Sequence, residues 1–441
     1  MDTKIAEYAL KLLEKKGASD TVVTLSAGCV AQSKFTNSKI TSTMSWNSTD
    51  LALLACFGRK VIHTSVKELT RKGVEKAAND CVKFARFAKE NNEFQGIAQG
   101  PKKYSKIDGL YDKKVETLDS AEIVNKSTGA VHDAGVPRSD GIFQKSSMRW
   151  HLLTSNGIDA EDKGTWLYLS IRSLFDKYAT GHELAVSRTI NNFDYKTAAQ
   201  NSAETALDSR NPKPGVKGTF DVVFSPLSFA NIVEKIGDAA SIFEVEAGMS
   251  CLAEKQGQRV AGDAVDIYDD GRIPEGASSG LFDAEGTPAQ RTTLIKKGIF
   301  RNFLHNTSTA KRYKTESTGN AGLIAPHPSN IVVQKGDFKK EELIKDVKKG
   351  LYITNLWYTR FQNYAAGDFS TIPRDGMFYI ENGKIKHPIK EIRISDNLIN
   401  IMKNVKALAK DVKQIKGWEV ETPVFTPSVL VKNVKITRPE T

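Results

Sequence analysis

Four cysteines in 441 residues, none in a C-x-x-C pair, are too few and too dispersed for a disulfide framework or a zinc ribbon. Cys29, Cys56, Cys81 and Cys251 read instead as reduced thiols packed as small hydrophobes. The longest wholly apolar stretch, Leu51–Phe57, is far short of the ~20 residues that span a bilayer. The first residues, Met1 to Tyr8, include acidic side chains and no apolar core followed by small residues, so no signal peptide is expected. These absences point to a cytoplasmic protein with no membrane partner. Glycine (32) and proline (14) are too scattered for a collagen-like or linker-type chain. No phosphate cradle and no G-x-S-x-G nucleophile elbow occurs. None of the seven histidines has a second at the i+4 spacing that puts two imidazoles on one helix face. His182-Glu183 is the most suggestive fragment, but Val186 and Ser187 stand where a second metal ligand would fall.

What is present is a soluble-type composition, 40% apolar and 26% charged, long enough to bury large cores. The formal charge is +11, carried mainly by lysines spread over the chain. Without an RNP-type motif, zinc finger or Arg-rich arm, it reads as solvated faces, and nucleic acid is not an expected partner. Helical spacing predicts helices over Thr3–Lys16, Thr70–Lys89, Ala121–Ala134 and Tyr195–Leu207. Between them lie strand-like runs: Thr21–Leu25, Ile40–Met44, a hairpin over Leu51–Val66, Ser146–Thr154 and Thr165–Leu174. Two prolines and a glycine in Asp208–Lys217 predict a break. Thr219–Phe224 then reads as a buried strand, and Ser225-Pro226 as the cap and first residue of a helix. Strands are expected at Val260–Tyr268, Thr292–Leu304, Asn330–Gln334, Met377–Glu381 and Ser428–Lys432. Helices are expected at Lys340–Lys349 and from Ser395 through Val412. The fold class expected is α+β in two domains. They are an N-terminal mixed helix/strand domain (1–207) and, after a linker (208–218), a β-rich domain with a few helices (219–441).

Cys56 on an apolar strand and Cys81 on an apolar helix face lack the electropositive, part-exposed setting of a nucleophile. Cys251 lies near Glu246 and Glu254, which would raise its pKa. The residues alone therefore present no recognisable catalytic engine.

Several stretches carry a resemblance. They are Asp283-Ala-Glu-Gly-Thr-Pro-Ala-Gln-Arg-Thr-Thr-Leu-Ile295, Lys297-Gly-Ile-Phe300, Ala310 and Ser317-Thr-Gly-Asn-Ala321. Gly257-Gln-Arg-Val260, Asp269-Asp-Gly271 and the run from Tyr379 to Leu398 fit with them. In order and spacing they resemble the TldD/PmbA family, the modulators of DNA gyrase. The resemblance covers most of the chain. It implies a two-domain α+β dimer involved in proteolysis of small or unfolded peptides. The TldD branch resembles a zinc peptidase, with a His-Glu-x-x-x-His helix after a buried strand and a cysteine near the C-terminus. The PmbA (TldE) branch lacks those ligands.

Here the helix after Thr219–Phe224 runs Ser225 to Ile236 without a histidine, and no cysteine follows Cys251. Glu234 is its acidic residue, read either as an exposed helix position or as a remnant beside a lost site. One carboxylate cannot hold zinc, which needs about three protein ligands plus water. The departure places the chain with the PmbA/TldE branch. The expectation is a non-catalytic subunit, without metal or cofactor, in a homodimer or a heterodimer with a TldD-like peptidase that would carry the zinc. Arg291, Thr318, Gly319, Asn320 and Glu234 are the residues expected to line a peptide cavity. Two alternatives stay open: an active metallopeptidase with an unrecognised site, and a gyrase modulator or nucleic-acid-associated protein.

Overall fold

The computed structural model describes residues 3–438. The apolar run Leu51–Phe57 becomes the inner end of a long strand, Lys39–Phe57, and both of its faces are covered. Leu51, Leu53 and Ala55 pack against Ala6, Ala9, Leu13, Val74, Ala78 and Cys81 of two helices, Lys4–Lys15 and Arg71–Phe87. Leu54 and Cys56 face the other way, onto Ile97, Leu152 and Ile158. Burial on both faces is why this strand reads as a continuous apolar run and not as an alternation. Thr70 starts the second helix by accepting the Gly73 N–H.

The strand belongs to a six-stranded antiparallel sheet. Its order is Lys60–Val66, Lys39–Phe57, Asp20–Thr36, Arg138–Thr154, Asp159–Leu174, Thr180–Ser187. The helices Ser120–Asp133 and Tyr195–Asp208 pack on it through Ile123, Val124, Val131, Ala199 and Ala203, against Phe143, Leu167 and Leu169. The strands are longer than expected. Lys39–Asp50 continues past the end of its outer neighbour, whose last pair is Val66 with Leu51. Met44 and Trp46 on this bare edge are 45% and 44% exposed.

From Lys213 onward the chain forms two more sheets. One has the order Ile299–Phe300, Arg291–Lys296, Ile267–Asp270, Ile331–Val333, Val420–Thr426, Lys413–Gly417. In the other, Lys349–Asn363 pairs with Gly218–Phe224, and that strand with Val429–Thr437. Arg393–Asn397 and Asp368–Glu381 follow, and the last pairs back onto Lys349–Asn363, closing a ring of strands. Lys213–Pro214, in the expected linker, pairs with Ile389–Lys390 at its margin. The α+β class is therefore observed, with strands dominating.

Other expected elements differ too, and the strand expected over Thr292–Leu304 folds back on itself as Arg291–Lys296 and Ile299–Phe300. The helix expected from Ser395 through Val412 stops at Lys403, and Val405–Leu408 is a strand on Val429–Val431. Val260–Tyr268 enters its sheet only at Ile267, although Val260, Ala261 and Val265 are buried. The helix from Lys340 ends at Lys345, because Lys349 already starts a strand. The early and late parts of the chain are joined by a buried guanidinium. Arg188, 1% exposed, donates to the carbonyls of Leu110, Gly276 and Ser279 and stacks on Trp166.

Candidate functional site

The helix that follows strand Gly218–Phe224 is the centre of the site. Ser225 caps it by accepting the Ser228 N–H, Pro226 occupies its first turn, and it runs to Ala239. Leu227, Phe229, Ala230, Ile232, Val233 and Ile236 are all buried, so the helix is apolar nearly all round. That is the pattern of a helix enclosed on every side. Glu234 is enclosed with it, at 2% exposure, which overturns the reading of an exposed helix position. The helix also extends past Ile236, and this adds a second carboxylate, Asp238, one turn beyond Glu234.

The two carboxylates share one cation. Lys235 Nζ lies 2.7 Å from Glu234 Oε2 and 3.3 Å from Asp238 Oδ2. The other Glu234 oxygen accepts the backbone N–H of Thr422 at 2.9 Å. Burial pushes the Glu234 pKa above its ordinary value, and the Lys235 ammonium only partly offsets it. For Lys235, burial works against the charge, but Asp238 and Glu234 outweigh it and hold the ammonium above its usual pKa.

Two clefts flank this group. The larger, about 690 Å³, is walled by Lys235, Asp238, Cys251, Arg360 and Tyr364. The smaller, about 430 Å³, is walled by Gly319, Asn320, Ser329, Glu421 and Thr422. His327 and Pro328 line both and form a common partition. Glu234 lines neither cleft, yet it is bonded to one residue of each, Lys235 and Thr422.

Unusual carboxylates gather at the smaller cleft, which Asp283 itself lines. Asp269, 1% exposed, accepts from Asn320 Nδ2 at 2.6 Å and from the Ser329 N–H at 2.6 Å. Burial nevertheless pushes its pKa up to about 7. Burial, with the adjacent Asp283, pushes Glu285 to about 7, and burial moves Asp283 to about 6. Asp283 is held by the N–H groups of Glu285, Thr287 and Ala321, which ties the two ends of the 283–321 segment together.

The five residues singled out from the sequence separate. Gly319 and Asn320 line the smaller cleft, and Glu234 reaches it through Thr422. Thr318 holds the turn, exchanging hydrogen bonds with the backbone of His305. Arg291 is exposed, stacks 4.0 Å over Tyr268 and lines neither cleft. Lys235, Asp238 and His327 were not singled out. The i, i+4 carboxylates around a lysine were the available signal, hidden by ending the helix at Ile236. His182 sits on a strand, with one ring nitrogen 2.9 Å from Ser170 Oγ and the other 3.0 Å from Asn355 Nδ2. Cys251 is buried, and burial pushes its thiol up to about 11. The nearby glutamates are not the principal cause.

Mixed sheets, one of them closed into a ring, around an enclosed helix with paired acidic residues define an α+β protein with a cleft-type site. Residues 217–438 match the PmbA/TldA metallopeptidase C-terminal domain, half of the chain, and the chain belongs to the TldD/PmbA family, which is involved in proteolysis. An uncharacterized protein of Methanocaldococcus jannaschii is 27% identical over 343 residues, covering 75% of this chain and 78% of its own. A metalloprotease of the same organism is 26% identical over 371 residues, 78% of this chain and 79% of its own. The crystal structure of TldE from Thermococcus kodakarensis shares the fold, with a TM-score of 0.88 at 20% identity over 98% of this chain and 100% of that one.

A metallopeptidase implies a metal, and the residues here do not fit one. The helix offers Glu234 and Asp238, and both already face the Lys235 ammonium. Among the described residues, no group of three His, Cys, Asp or Glu side chains is arranged to hold a metal ion. Val233-Glu234-x-x-x-Asp238 has the length of a His-Glu-x-x-x-His motif, with valine and aspartate at its ends.

Proposed function

We propose that this chain is a metal-free, PmbA/TldE-like subunit of a proteolytic assembly. It shapes a cleft for small or unfolded peptides and dimerises, with itself or with a TldD-like zinc peptidase. The observation that carries the reading is the Lys235 ammonium between Glu234 and Asp238. A fixed organic cation neutralises the carboxylates but cannot lower the pKa of a bound water or polarise a carbonyl as a divalent ion does. The clefts on either side remain open to a peptide. The bare strand edge at Lys39–Asp50 supports dimerisation, because an unpaired edge adds another chain's strand. Four free cysteines agree with a reducing cytoplasm.

The test mixes the purified chain with a TldD-like peptidase and follows cleavage of an unfolded peptide. The chain alone should be inactive with or without added zinc, and the mixture should cleave faster or more selectively than the peptidase alone. Chelator-sensitive cleavage by the isolated chain would refute the proposal.

A further inference from the structure

Among the described residues, five buried side-chain atoms have no hydrogen-bond partner, and one of them, Asn320 Oδ1, belongs to a residue that lines the smaller cleft. Asn320 is 3% exposed. Both of its amide hydrogens are committed, to Asp269 Oδ2 at 2.6 Å and to the His327 carbonyl at 3.1 Å. Those two acceptors fix which end of the amide is oxygen, so the orphan is an acceptor and not a mis-set donor. A buried acceptor without a donor costs about 1–3 kcal/mol, which a bound donor recovers.

The surroundings restrict what that donor can be. The smaller cleft is also lined by Gly271, Gly280, Ala284, Ala289 and Gly319, none with more than a methyl group. A Cβ on Gly271 would meet Ala289 Cβ at 3.1 Å, so these two lining residues already lie close together. Such a floor lets a ligand main chain approach closely while leaving little width for side chains.

We infer that the smaller cleft is a subsite for the main chain of an extended peptide, and that Asn320 Oδ1 accepts one of that peptide's backbone N–H groups. The inference rests on the peptide-binding reading and adds which residue reads the backbone. It makes Asn320 a binding residue that selects for an extended main chain with short side chains, independent of any bond-breaking chemistry.

The experiment is an N-methyl scan. A fluorescein-labelled, unstructured alanine–serine peptide and its singly N-methylated versions are titrated with the full chain, and binding is read by anisotropy. One position should bind wild type about 3- to 10-fold more weakly when methylated, the range expected for one hydrogen bond. The same penalty should vanish in Asn320→Ala. Ala289→Phe keeps the bonds of Asn320 but fills the cleft, and should also erase it, so the test survives if Asn320→Ala does not fold. If the peptide binds but no position is penalised, or the penalty persists in both variants, Asn320 is not the acceptor and the peptide reading stands. If the peptide binds neither the chain nor its mixture with a TldD-like peptidase, the peptide reading itself fails.

Discussion

Lys235 sets the charge balance of the enclosed helix. Replacing it with methionine keeps the stem and leaves Glu234 and Asp238 facing each other without a cation. Breaking a buried pair in this way costs about 3–5 kcal/mol, and here about 2–4, because Asp238 is 43% exposed. The loss should grow with pH. The Glu234 pKa is raised by burial, so its ionised form costs stability once pH exceeds its unfolded value, and Lys235→Met removes the group that offsets this. Urea denaturation at pH 5 and pH 8 checks it, and an equal loss at both would contradict the assignment. Glu285 gives a cleaner titration. Its pKa, raised by burial from 4.5 to about 7, means the folded state holds a proton that the unfolded state releases between those values. Stability from this group is therefore lost as pH rises through that window. Glu285→Gln should match wild type near pH 4 and exceed it above pH 7 by on the order of 1–3 kcal/mol, seen as a widening gap in Tm. Glu234 was legible in the sequence as a carboxylate on the right helix. Its burial was not, because the strand carrying Thr422 lies far away in the chain.

At the scale of elements, the cap of the site helix is the most exposed to test. Ser225 accepts the Ser228 N–H and donates to the Thr354 carbonyl at 2.6 Å. Ser225→Ala should cost about 1–2 kcal/mol, measured by equilibrium unfolding, because it leaves the Ser228 N–H and the Thr354 carbonyl without their partner. An unchanged midpoint would mean the helix start is fixed by packing alone. Elements with a local cause were readable from sequence: the helix from Thr70, which the structure starts one residue later with Thr70 as its cap, and Pro226 after its cap Ser225. Elements with a distant cause were not. Leu398, Ile401, Met402, Val405 and Leu408 keep helical spacing, but the helix ends at Lys403 and Val405–Leu408 pairs with Val429–Val431. All five side chains still enter the same core, so the spacing was satisfied by a helix and then a strand. Strand length was equally illegible. Ser42–Asp50 is polar and mostly exposed, and it is extended only because Ser26–Lys34 pairs along it.

For the whole molecule, that ribbon is the conspicuous unfinished surface. An edge with Met44 and Trp46 outward is the kind that natural sheets blunt with charge unless another chain covers it. If the proposed dimer forms through this edge, the double substitution Met44→Lys and Trp46→Lys should leave only monomer in sedimentation velocity, with the Tm of the monomer little changed. A variant that sediments as wild type would move the interface elsewhere. The ring of strands from Lys349–Asn363 round to Asp368–Glu381 has no such opening, since its first and last members pair with each other. The partition made by His327 and Pro328 belongs to two chambers at once. A substitution at either residue therefore reshapes the wall of both clefts, so neither can be widened from that side alone.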